Sequence, residues 1–207
     1  MALHQPFVIT GYHSCDKSVG IAVLNGEMEL KPSNNPWDWL GEGIYFWEQN
    51  PSRALEYAEE SANGEQFNKI PIKTPFVLGA TVELGKCLNL IEPESIGLLS
   101  KAYYELERIY KESGKKMPEN KGNGNRLLDC AVIRHIHHSA KDNPLLAYDS
   151  IRCSFDEGKE VYPGSNFTTR NHIQVCLLNP SLIRGYFLPR PVDIYNPYIK
   201  NEFISPK

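Results

Sequence analysis

Apolar and polar positions alternate along the chain in short runs cut by glycine, proline and asparagine. Two longer stretches instead repeat their apolar residues at helical spacing. Phe7-Val8-Ile9 opens a strand over 7–12, which leads into the polar pair His13-Ser14. Residues 17–24 predict a short helix ended by Asn25-Gly26, and 31–39, with Pro32, Pro36 and paired asparagines, a loop. Gly41 and Gly43 mark a tight turn, 44–47 a short aromatic strand and Asn50-Pro51 a breaker. A helix follows over 52–62, with Ser52 as N-cap and Leu55 and Ala58 on its inner side. After a polar, proline-punctuated stretch, 76–84 reads as a strand. Leu98, Leu99, Ala102, Tyr103, Leu106, Ile109 and Tyr110 give 94–113 an amphipathic helical face. Leu128, Val132 and Ile136 form a second stripe over 126–139, so 94–140 is expected to be a helical insertion between strands. Segments 149–153, 160–162, 171–178 and 182–188 return to the strand pattern. The expected class is α+β, not a βαβ repeat.

Composition narrows the class without changing it. The 207 residues can bury one large core, and no linker-like tract divides them, so a single domain over 1–207 is expected. A hydrophobic share of 41% and a charged share of 23% are ordinary for a globular protein. The net charge of −3 offers no general attraction for nucleic acid or acidic membranes, although a local basic groove is still compatible with it. No window reaches the length of a membrane span, and Met-Ala-Leu-His-Gln-Pro lacks a signal-peptide pattern. Five cysteines, Cys15, Cys87, Cys130, Cys153 and Cys176, form no CxxC pair. Free thiols in a reducing cytoplasm are the simplest account.

The candidate chemistry centres on Tyr45, at the end of the aromatic strand, and Tyr57, in the helix after it. Two tyrosines so spaced can face one another across a slot that accepts a flat, partly cationic ring, or can pack an aromatic hairpin into a core. Upstream stands Tyr12-His13-Ser14, and downstream Gly41-Glu42-Gly43-Ile44-Tyr45-Phe46 and Ala54-Leu55-Glu56-Tyr57-Ala58. With these motifs the chain resembles the diphtheria-toxin-like and poly(ADP-ribose) polymerase-like ADP-ribosyltransferases, whose hallmark is a histidine, a tyrosine and a glutamate on three strands. The resemblance covers 7–60 and, beyond the insertion, 149–188. It implies the ADP-ribosyltransferase fold, a split β-sandwich of two mainly antiparallel sheets with flanking helices. It also implies NAD as ADP-ribose donor and no metal. In the implied roles His13 anchors the adenosine-side ribose, the backbone at Ser14 or Tyr12 holds the carboxamide, and Tyr45 and Tyr57 sandwich the nicotinamide. The Tyr45–Tyr57 interval is one residue longer than the family pattern. Gln174, in the strand ended by Asn179-Pro180, stands where the family carries its glutamate. It can hydrogen-bond a ribose hydroxyl but brings no charge to the cationic sugar that forms as nicotinamide leaves. The loss speaks against chain elongation and leaves a mono-ADP-ribosyltransferase, or an inactive NAD-binding or interaction module. Tyr45→Ala is expected to abolish NAD cleavage with the fold intact.

Other residues offer alternatives. Asp156, Glu157 and Glu160 precede the last catalytic strand, on the loop that faces the acceptor in this superfamily. Glu160 is the second candidate acid or base, and a solvated acidic turn is the plainer reading. Arg152 either meets NAD phosphates bidentately or pairs with Asp149 or the acidic turn. His172 shares a strand face with Gln174, for acceptor binding or as a filled core position. His135, His137 and His138 lack the i, i+4 spacing of helical metal ligands. Cys15 follows the His-Ser pair but is read as structural. Lys115, Lys116, Lys121 and Arg126 make a basic patch, either a solvated loop or a contact for RNA, DNA or a protein. An RNA 2′-phosphotransferase, which shares the general fold, would need a phosphate-gripping arginine pattern that is not found. The functional expectation is an intracellular toxin or phage-defence effector, with a protein or nucleic acid acceptor and an antitoxin partner. The tail over 189–207 either wraps the body or binds a partner.

Overall fold

The computed structural model describes residues 7–65, 71–122, 125–140 and 147–199. The N-terminal Met-Ala-Leu-His-Gln-Pro, Asn123-Gly124 of the basic loop and the end of the tail lie outside them. The chain is α+β, as its mixed periodicity implies. Its strands are β1 (Val8–Asp16), β2 (Ile44–Glu48), β3 (Pro75–Glu83), β4 (Cys87–Asn89), β5 (Asn120–Lys121), β6 (Asn125–Arg126), β7 (Ser150–Phe155), β8 (His172–Leu177) and β9 (Ile183–Phe187). Its helices are α1 (Lys17–Leu24), α2 (Pro51–Ala62), α3 (Pro93–Glu112), α4 (Leu127–Ala140) and α5 (Val192–Tyr195).

Seven strands form one sheet in the order β4-β7-β8-β2-β1-β3-β9, antiparallel throughout except for β4 against β7; β5 and β6 make a small second sheet. One continuous main sheet thus stands where two were expected, yet its joints are unequal. β1 pairs with β3 over nine residues, from Val8↔Glu83 to Asp16↔Pro75, but with β2 only at Gly11↔Glu48 and Tyr12↔Trp47. Beyond Trp47 the two strands fork.

Side-chain alternation divides the core. Ile44 and Phe46 point to one face, into a cluster with Val23 of α1, Leu78, Val175 and Leu177. Tyr45 points to the other face, among Ile151, Cys176 and the apolar stripes of α3 and α4. Trp47, further along that same face, meets Ala54 and Tyr57 of α2. The expected helical insertion is therefore the crossover between the parallel strands β4 and β7, folded over one half of the sheet while α2 covers the other.

Three boundaries differ from expectation. β1 continues past residue 12 to Asp16, because β3 pairs with it along its whole length, so His13 and Ser14 lie inside the strand. α2 starts at Pro51, with the Asn50 side chain accepting from Arg53 N at 3.0 Å; Asn50, not Ser52, is the N-cap, and proline takes the first helical position it favours. The expected strand over 160–162 is a single bridge, Glu160↔Thr168. Asp16 joins two elements: it caps α1 through Ser18 N and accepts from Lys73 N and Thr74 N at 2.8 and 3.0 Å. Burial opposes ionisation, but these donors together bring its carboxyl down to about 2.

Candidate functional site

The Gly41–Gly43 turn sets the position of β2. Gly41 adopts φ +79°, and a Cβ on Gly43 would collide with Cys176 Sγ and the Leu177 carbonyl. The turn folds back over Tyr45, whose hydroxyl accepts from Leu40 N at 3.1 Å and donates to the Gly41 carbonyl at 2.6 Å. Burial, then Cys176 and Asp38, raise its pKa well above the usual phenol value, so it stays a neutral donor. A side chain this embedded makes Tyr45→Ala a change to the fold as well as to any site. The expectation of an undisturbed fold is corrected accordingly.

Cross-strand registry sets out the face beside Tyr45. Tyr12 stands opposite Trp47, Trp47 opposite Gln174 and Gln174 opposite Cys153, a single row across β1, β2, β8 and β7. The neighbouring rows on that face hold Tyr45, Cys176 and Ile151 on one side and His172 with Phe155 on the other. Tyr57 leans on Trp47, with centroids 5.0 Å apart and planes at 46°. Trp47 thus gives Tyr57 its aromatic neighbour one pleat from Tyr45, and Tyr45 belongs to the cluster under α4.

His13 occupies the fork. Its Nδ1–H donates to the Tyr45 carbonyl at 2.8 Å, and its ring meets Phe46 at 5.8 Å. Burial lowers its pKa, against the opposing hydrogen bond to Tyr45. The main chain of Ser14 faces the same gap. On β3 the N–H and C=O of Val77 are taken by the Asn196 side chain, at 2.8 and 3.0 Å, so they point away from β1. Ser14↔Val77 is therefore a non-hydrogen-bonded pair, and the Ser14 N–H and C=O are directed toward β2, where the ladder has already ended. The Ser14 hydroxyl donates to the Ala54 carbonyl of α2.

Beside Gln174, Trp47 Nε1 and His172 Nε2, in residues 4% and 7% exposed, have no hydrogen-bond partner, nor does Nε of Arg53, a residue of α2 that is 6% exposed. His172 stacks on Phe155 and donates Nδ1–H to the Arg170 carbonyl at 2.7 Å. Burial lowers its pKa, which keeps the ring neutral and leaves Nε2 as an acceptor lone pair. Arg53 pairs with Glu157 at 3.1 Å and Glu56 at 3.4 Å; Arg170 pairs with Glu56 at 2.6 Å and with Glu60. These ion pairs tie the β7–β8 loop to α2. The sequence alone did not single out Trp47 or Arg53. The signal available was Trp47's place two residues after Tyr45, on the same strand face.

Two expected site residues lie elsewhere. Arg152 is held by both oxygens of Glu48, at 2.6 and 3.0 Å, on the opposite face of the sheet from Gln174. Its partner is thus neither a free phosphate site nor Asp149. Glu160 is exposed, and its carboxylate accepts from Gly164 N at 2.9 Å, so it closes a turn. Burial pushes the Cys15 thiol up to about 12, which suits the structural reading. Lys116 pairs with Glu119 and Arg126 with Asp129, so the basic patch is partly neutralised.

Against known proteins, no family model matches the chain, and no solved structure matches it significantly. The chain is similar to an uncharacterised protein of Methanocaldococcus jannaschii, MJ0359, with 24% identity across 94% of this chain and 96% of that one. The similarity thus runs over nearly the full length of both chains.

Proposed function

We propose that the chain is a mono-ADP-ribosyltransferase with the ADP-ribosyltransferase fold, which takes NAD at the fork between β1 and β2 and transfers ADP-ribose to a protein or nucleic acid acceptor. The observation that carries this reading is the Ser14 main chain, directed into the fork at the point where pairing with β2 stops. An N–H and a C=O side by side complement a primary carboxamide, the group nicotinamide presents. Under this reading the two-pair joint is the split of the family's sandwich, and Trp47, Tyr45 and Tyr57 form the aromatic wall. NAD, when bound, supplies a nicotinamide–ribose bond whose cleavage releases neutral nicotinamide. The chain's own part is positional: Ser14 holds the amide, the rings exclude water and the Gln174 amide orients a sugar hydroxyl. Arg152 and Glu160 take no part, since each is already engaged by a protein group. We further assign the activity to the cell interior, as a toxin or phage-defence effector with a neutralising partner, on the family resemblance and the five free cysteines.

A second reading is favoured by one residue. The neutral Gln174 amide stabilises a developing positive sugar less than a carboxylate does, which suits a module that binds NAD or a partner without turnover. Incubation of the full chain with adenylate-labelled NAD and a cell lysate, followed by protease or nuclease digestion, separates the two. The expected result is release of nicotinamide and a labelled macromolecule, with release falling at least about tenfold in Gln174→Ala. NAD binding without release or transfer selects the second reading in its NAD-binding form, and no NAD binding rejects the transferase and leaves only a partner-binding module.

A further inference from the structure

A cavity of about 400 Å³ lies between the loop before β2, the residue that follows β8 and the last turns of α4, with Pro32, Asn34, Glu42, Arg134, His137 and Leu178 in its wall. His13, Ser14, Tyr45, Tyr57 and Gln174 do not border it. Gly43, at its base, stands four residues before Trp47, which puts the cavity roughly 13 Å along β2 from the Gln174 row. Its base is fixed: Gly43 exchanges main-chain hydrogen bonds with Ser33 at 2.8 and 3.1 Å, and a Cβ on Gly41 would stand 3.0 Å from Ile133 of α4. The glycine turn thus packs directly on the helix. With the Gly43 main chain already paired, side chains decide what the cavity takes.

Two opposite charges border this space without meeting. Arg134 Nη2 donates to neutral groups, Asn34 Oδ1 at 2.6 Å and the Asn35 carbonyl at 3.3 Å, and Arg134 Nε is buried with no partner. Glu42 is exposed on the glycine turn; its main-chain carbonyl accepts from Cys176 Sγ at 3.6 Å. Among the described residues no ion pair engages either Arg134 or Glu42. A half-buried guanidinium with neutral partners and an N–H left over attracts an anion. One helical turn further along α4, His137 Nε2 is also buried with no partner. Glu42 selects among anions: it repels a phosphate, whereas a carboxylate joined to an ammonium answers both charges at once. Pro32 and Leu178 add an apolar wall, and the volume suits a small molecule. We infer that the cavity binds a small α-amino acid with an apolar side chain, its carboxylate on Arg134 and its ammonium on Glu42. The inference does not depend on the transferase reading.

The test titrates the full chain, near neutral pH in a calorimeter, with four probes. These are L-leucine, 4-methylpentanoate, which lacks its ammonium, 3-methylbutylamine, which lacks its carboxylate, and inorganic phosphate. L-Leucine is expected to bind at least about tenfold more tightly than each of the others, since each of them gives up one charge-assisted contact. Glu42→Gln should bring L-leucine to within about twofold of 4-methylpentanoate, and Arg134→Gln should weaken it at least about tenfold. Glu42 is exposed, so its variant decides the matter even where Arg134→Gln disturbs α4. A third readout locates the ligand. Burial and His138 hold the His137 pKa at about 4, and a carboxylate one turn away should raise it, as followed by imidazole proton shifts. No L-leucine binding at about 10 mM, phosphate or 4-methylpentanoate bound as tightly as L-leucine, an affinity unchanged in Glu42→Gln, or a His137 titration unmoved by L-leucine would overturn the inference.

Discussion

Tyr45 is bound into the turn that precedes it, and its hydroxyl serves two main-chain groups at once. Tyr45→Phe removes both the Leu40 N–H and the Gly41 carbonyl contacts while leaving the ring in place. The expected loss of stability is about 1–3 kcal/mol, from two partly buried hydrogen bonds. Urea unfolding reads it directly, and an unchanged midpoint would mean that the turn holds itself. Comparing NAD binding by this variant with that by the parent then separates the ring's contribution from the turn's. The sequence marked Tyr45 because a short aromatic strand after a glycine pair is a local pattern, whereas the roles of His13 and Gln174 came from the family resemblance. It could not show which ring Tyr57 would meet. That depends on β2, β8 and α2 coming together, a contact between elements far apart in the chain.

At the scale of elements, a set of ion pairs links α2 to the β7–β8 loop. The Arg53 side chain is 7% exposed and answers Glu157, Glu56 and Glu60 together. Arg53→Ala takes the partner from Glu157, which is 26% exposed, while Arg170 still answers Glu56 and Glu60, so the expected cost is about 1–3 kcal/mol. A loss under about 1 kcal/mol would place the pair among ordinary surface ion pairs. Arg53→Ala combined with Glu157→Gln should recover part of the loss, and a double-mutant cycle measures how much. The helices α3 and α4 were legible because their stripes repeat at helical spacing. The N-cap of α2 differs by two residues from the expected one because Asn50 and Pro51 looked like a breaker when they act as cap and first turn. β4 was not legible at all: three residues carry no period, and only parallel pairing with β7 makes them a strand.

For the whole molecule, the histidines set the response to acid. Burial lowers the pKa of His13 and His172, and burial together with His138 brings His137 down to about 4. The facing groups at these sites are the Tyr45 carbonyl for His13, and Arg170, Glu157, Arg53 and Glu56 for His172. The unfolded chain binds protons at all three near pH 6.5 while the folded chain does not, so stability should fall as pH drops through about 6.5 and on toward about 4. A second decline follows between about 3.9 and 2 as Asp16 is protonated, its carboxyl being lower in the folded chain. Denaturant midpoints between pH 8 and pH 5 check the first limb, and a flat or rising profile would refute it.

The joint between β1 and β2 also has a mechanical meaning. Nine residue pairs fasten β1 to β3, and six fasten β7 to β8, whereas β1 is held to β2 by two pairs, the Gln49 N bond to the Thr10 carbonyl and the His13 imidazole rivet. Tension applied across the strands would concentrate on that seam, so the sheet should tear there first, into a three-stranded flap and a four-stranded remainder, before either part frays at its rim.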